Sequence, residues 1–120
     1  MPYSIDMSVL AEAKMEEGHL ALASGEMATA AEHYRSATQL DPSNVEAWQA
    51  LGMALVKLDN LSEAIPALQE LVRLSPKDQL AYTSLSLALG RAGRIKEAEE
   101  MAAKAKVTAW GGDPSKIGKS

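Results

Sequence analysis

Shifted by 34 residues, this chain lies over itself, and a second shift does the same, so its fold is built from a unit of that length. Pro42 and Pro76 stand one period apart. Ala30, Ala64 and Ala98 fall on the same ruler, as do Gly18, Gly52 and Ser86. Tyr34, Leu68 and Ala102 follow, then Ala37, Leu71 and Ala105. A unit this short cannot bury its apolar face alone, so the copies must stack. The apolar spacing within each copy is helical and predicts helices over 8–23, 27–39, 44–57, 61–73, 78–91 and 95–109. Gly25, Asp59-Asn60 and Gly93 mark the tight turns inside the copies. Asp41-Pro42 and Ser75-Pro76 mark those between them, because Pro restricts the residue before it and cannot continue the preceding helix.

Small residues on this ruler predict close helix pairing. Gly18, Gly52 and Ser86 on first helices, and Ala30, Ala64 and Ala98 on second helices, leave little side chain between paired backbones. Trp48, Leu51, Leu55, Leu68 and Leu71 read as core. Ser43 with Glu46 has the spacing of a capping box, and Asn60 with Glu63 repeats it. Pro66 falls inside the fourth helix, where it removes one hydrogen bond and invites a bend. Where the middle copy has Trp48 and Leu51 the first has Lys14 and Glu17, which predicts an outer, solvent-facing N-terminal unit. Beyond the sixth helix only GGDPSKIGKS follows, too Gly-rich for a capping helix. Met101, Ala105 and Trp110 are therefore expected at a partly exposed end, with Trp110 folded back as a plug or meeting another copy.

The middle copy reads Trp48-x-x-Leu51-Gly52-x-x-Leu55, then Ala64-x-x-x-Leu68, then Pro76. That order and spacing resemble the tetratricopeptide repeat. The resemblance covers roughly residues 8–110 and implies an all-α fold. The fold the resemblance implies is an α-solenoid of three helix–turn–helix repeats, six antiparallel helices in a right-handed superhelix. It divides the chain into one domain over 1–110, with repeats at about 11–44, 45–78 and 79–110, and a flexible tail over 111–120. It also implies a concave groove lined by first helices: Met15, His19 and Leu22, then Gln49, Met53 and Val56, then Leu80, Thr83, Leu87 and Arg91. Some of these apolar residues read equally well as core. Relatives that clamp the acidic tail of heat-shock chaperones use Lys, Arg and Asn at positions matched here by Met15, His19, Ala50, Leu80 and Ser84. None of the five is Lys, Arg or Asn, so the carboxylate clamp is absent from this reading.

Composition narrows the function further. A net charge of −4 and a pI near 5.1 argue against non-specific nucleic-acid binding. With no Cys there is no disulfide framework or thiol nucleophile. No apolar stretch approaches the roughly 20 residues a membrane helix needs. The start MPYSIDMSVLAEAK lacks a basic segment followed by an apolar run, so no signal peptide and a cytoplasmic location are expected. Charge is uneven: residues 1–44 carry seven acids against Lys14 and Arg35, a net of −5, whereas residues 79–120 carry seven bases and four acids, a net of +3. Solvated helix faces, an oriented partner and head-to-tail contact between copies are all compatible with that asymmetry.

Catalytic chemistry finds no footing. Gly112 to Ser120 looks like a phosphate-binding loop but has five residues between its glycines where the motif needs four, and no strand before it. His19 and His33 fall on different predicted helices, and neither Glu16 nor Glu32 completes a repeated helical metal motif. The sequence thus predicts a non-catalytic module without cofactor or metal, binding a protein or peptide with an apolar or amphipathic segment. A small chaperone for one client, or a self-assembling unit using the groove or the C-terminal end, is the alternative.

Overall fold

The computed structural model describes residues 6–118. Residues 1–5 of the predicted domain, and the Lys119 and Ser120 that complete the loop-like run, lie outside them. Six helices follow in order: α1 Met7–Ala23, α2 Met27–Leu40, α3 Val45–Lys57, α4 Leu61–Leu74, α5 Gln79–Arg91 and α6 Ile95–Ala109. No strand occurs among the described residues. Successive helices pair within each repeat, and α2 packs on α3, and α4 on α5, to join the repeats into a helical solenoid measuring 54 × 33 × 20 Å.

Each turn inside a repeat needs one left-handed residue, and the 34-residue period supplies it at Gly25 (φ 80°), Asp59 (φ 59°) and Gly93 (φ 80°). The turns between repeats are built differently. The Trp48 indole N–H donates to the Pro42 carbonyl at 2.7 Å, and the Tyr82 hydroxyl donates to the Pro76 carbonyl at 2.6 Å. An aromatic side chain thus fastens each proline turn to the helix that follows it. Trp48 is only half-buried as a result, packed against the core rather than within it as expected. The cap of α3 also differs from expectation. Asn44 accepts from the Ala47 N–H at 3.1 Å, while Ser43 bonds to Asp41. Asp78, one period later, caps α5 through the Leu80 N–H. Asn60 precedes α4 without a side-chain cap, its amide reaching Glu63 at 3.3 Å. α4 runs through Pro66 as one helix, Leu61–Leu74.

Close pairing within repeats works as predicted. The Tyr34 ring covers Gly18 and the Leu68 side chain covers Gly52, each so tightly that a Cβ on the glycine would overlap it. Tyr34, Leu55, Leu68 and Leu71 are fully buried, with Ala30, Ala37, Ala64, Ala81 and Ala88 packed between them. In the third repeat the Ser86 hydroxyl donates to the Ala98 carbonyl at 2.7 Å. The expected flexible tail contains a 3-10 turn, Pro114–Lys116, packed on α6 with Pro114 buried and Asp113 accepting from the Ser115 N–H at 2.9 Å.

Candidate interaction face

The first helix of each repeat contributes to one face, and the predicted groove residues divide on it by depth. His19, Leu22 and Met53 come together with Met27, Tyr34, Ala50, Ala54 and Lys57 around a cavity of about 160 Å³ between the first two repeats. That is room for one bulky apolar side chain, well short of a small-molecule site. Its floor is held by a hydrogen bond of 2.8 Å between the Tyr34 hydroxyl and His19 Nδ1, the rings meeting edge-on with centroids 5.4 Å apart. Burial pushes the Tyr34 phenol above its usual range, so it keeps its proton at neutral pH and can donate to the imidazole. A second depression, of about 480 Å³, opens nearer the N-terminal ends of α1 and α3. It shares His19 with the first and, Met15 apart, is otherwise polar: Glu12, Glu16, Asn44 and Glu46.

Two predicted groove residues are core instead. Met15 is 5% exposed and Val56 2%, because both turn toward neighbouring helices. Gln49 is half-buried. On α5, Leu80, Thr83, Leu87 and Arg91 are exposed and none of them lines the cavity. Arg91 instead donates to the Val56 carbonyl at 3.4 Å and ties the ends of α3 and α5. Lys57 was missed by sequence reasoning, although it lies one period before Arg91 and the ruler would have found it. At the C-terminal end Ala105 is buried and Met101 half-buried, while Trp110 is 77% exposed; it caps α6 and does not fold back as a plug. The histidines make separate contacts: His33 Nδ1 faces Glu17 at 3.1 Å, whereas His19 pairs with Tyr34. Among the described residues no three His, Asp or Glu side chains are placed to hold a metal ion. No helix there is long and apolar enough to cross a membrane.

The family model of the tetratricopeptide repeat matches residues 21–88, more than half of the chain. The chain belongs to the tetratricopeptide repeat family. Repeats of this family are interaction modules that mediate contact between proteins. The PEX5-related protein of Homo sapiens is 31% identical over 83 residues, which is 69% of this chain but 13% of that protein. The crystal structure of MamA superimposes with a TM-score of 0.79 at 25% identity, over 84% of this chain and 59% of that one. The chain thus spans less than two thirds of either. The second tetratricopeptide domain of Spaghetti (RPAP3), bound to the HSP90 peptide SRMEEVD, superimposes with a TM-score of 0.75 at 19% identity, over 82% and 91% of the two chains. At that identity the last shows the fold alone.

Proposed function

We propose that this tetratricopeptide protein is a non-catalytic, cytoplasmic interaction module whose first-helix face holds an apolar or amphipathic segment of a partner protein. The observation that carries this reading is the apolar cavity between His19 and Met53, open at the surface and sized for one anchoring side chain. Exposed Leu80 and Leu87 extend the apolar surface along α5. An acidic tail such as the one held by Spaghetti is a poor fit. The matching positions Met15, His19, Ala50, Leu80 and Ser84 include no Lys, Arg or Asn, and Glu12, Glu16 and Glu46 add carboxylates beside them.

The test is affinity capture from the source-cell lysate with the wild-type chain and a Met53→Glu/Leu87→Glu variant of unchanged helicity. Burying a carboxylate against an apolar partner is costly, so the bound protein should be lost by the variant, with affinity weakened at least about tenfold. Equal retention by both would move the binding site off this face.

A further inference from the structure

We propose that copies of this protein stack head to tail, α6 of one copy covering the outer face of α1 in the next. On α3, Ala47 and Ala54 are buried where α2 packs on it, and one period later Ala81 and Ala88 are buried under α4. The same two positions on α1 are Ala13 and Leu20. Nothing among the described residues covers them: Leu20 is 69% exposed, and Val9, one turn before Ala13, is 59% exposed. The opposite side of α1 already buries Ala11, Met15, Gly18 and Ala21 in the core. On the outer side Val9, Ala13 and Leu20 form an apolar stripe beside the exposed Glu16, and such a stripe is suited to being covered as the inner one is.

Side-chain size favours a second copy over an unrelated partner. Within the chain the second helix supplies the bulky residue at each junction and the first helix the small one. Tyr34 shares a cavity wall with Ala50 and Ala54, and Leu68 holds the Tyr34 position one period on. At the two ends this is reversed. α6 carries exposed Ala102 at the position of Tyr34 and Leu68, and α1 carries Leu20 at the position of Ala54 and Ala88. Stacked in the internal register, Leu20 of one copy meets Ala102 of the other, and the paired volume is kept with its halves exchanged.

Charge follows the same ruler. Thr38 and Leu51 border one groove at the first junction. Two periods after Thr38 stands Lys106, which has no ion-pair partner among the described residues, and one period before Leu51 stands Glu17, which contacts Lys14 and His33 but keeps 47% of its side chain exposed. The uncharged neighbours of the internal junction thus become opposite charges across the junction between copies, in line with the acidic N-terminal and basic C-terminal thirds of the chain. Such a contact is heterologous and does not close on itself, so it builds an open row. It would also continue the first-helix face from α5 of one copy to α1 of the next.

Two exposed-residue variants test it by sedimentation velocity. Leu20→Glu spoils the head and Ala102→Glu spoils the tail. Wild-type protein should rise in mass past a dimer as its concentration approaches about 1 mM, and each variant alone should stay monomeric, its self-affinity at least about tenfold weaker. An equimolar mixture should form a one-to-one dimer and nothing larger, since one intact head and one intact tail remain. A wild type that stays monomeric throughout overturns the proposal. So does a closed dimer that both variants preserve, or a mixture no heavier than its parts.

Discussion

In the second repeat Leu68 lies over Gly52, whereas the third repeat has Ala102 and Ser86 at those two positions. The first repeat follows the second, with Tyr34 over Gly18. A helix pair at one spacing leaves a fixed volume between its backbones, and these repeats fill it either from the second helix alone or from both sides with small groups. In the third repeat the missing bulk is replaced in part by a polar contact, Ser86 to the Ala98 carbonyl. The lesson is that residues 34 apart are not independently exchangeable between repeats. They change in pairs.

The largest break in that comparison is Leu68→Ala. Leu68 is fully buried, so truncation leaves a cavity over Gly52 and should cost about 2–5 kcal/mol in a urea titration. The next effect comes from importing half of the other solution. Gly52→Ser places a side chain against Leu68 and should cost about 1–3 kcal/mol through overpacking. The reverse import, Ala102→Leu, adds bulk beside Ser86 at an exposed position, so it should cost less than Gly52→Ser, and Ser86→Gly in the same chain should recover the loss. A double-mutant cycle on residues 86 and 102 should therefore show coupling of about 0.5–3 kcal/mol. Additive effects would mean the two positions do not share one volume.

Much of this was legible from the period. The six helices, the left-handed turn positions and the glycine contacts all follow from residues recurring on one ruler, because each copy must satisfy the same local geometry. What escaped was of two kinds. Met15 and Val56 were expected in the groove, yet an apolar residue on a first helix satisfies the core and the groove equally in sequence, and only the helix's rotation decides. Trp48 was expected in the core, but its indole N–H needs a partner and finds the Pro42 carbonyl at the edge. That fastening had a signal, since Pro42 with Trp48 and Pro76 with Tyr82 have the same spacing, each aromatic carrying a donor. The reversal of bulky and small residues at the two ends was also present in the sequence. It became readable only when exposure separated Leu20 from the buried Ala54 and Ala88.

The smallest contrast lies between Glu63 and Glu97, one period apart and bonded differently. Glu63 receives two hydrogen bonds, at 2.6 and 2.8 Å, from Arg35 of the preceding repeat, whereas Glu97 receives its two, at 2.6 and 2.7 Å, from Arg94 at the start of its own helix. The guanidinium hydrogen bond is the main cause that holds each carboxyl below its usual range. A carboxyl lowered on folding stabilises the fold above its unfolded value, and that stabilisation is lost as pH falls through the folded one. The Arg35–Glu63 pair is more than one third exposed and screened by solvent, so Glu63→Gln should cost only about 0.5–1 kcal/mol at pH 7, less in high salt. The cost should shrink toward about pH 3, below the range of an ordinary glutamate, and vanish once the wild-type carboxyl is itself protonated. Glu97→Gln should cost less at pH 7, since its pair joins no two repeats. Urea midpoints at the two pH values read the difference. A Glu63→Gln deficit no smaller at pH 3 than at pH 7 would show that the side chain, not its charge, ties the first repeat to the second.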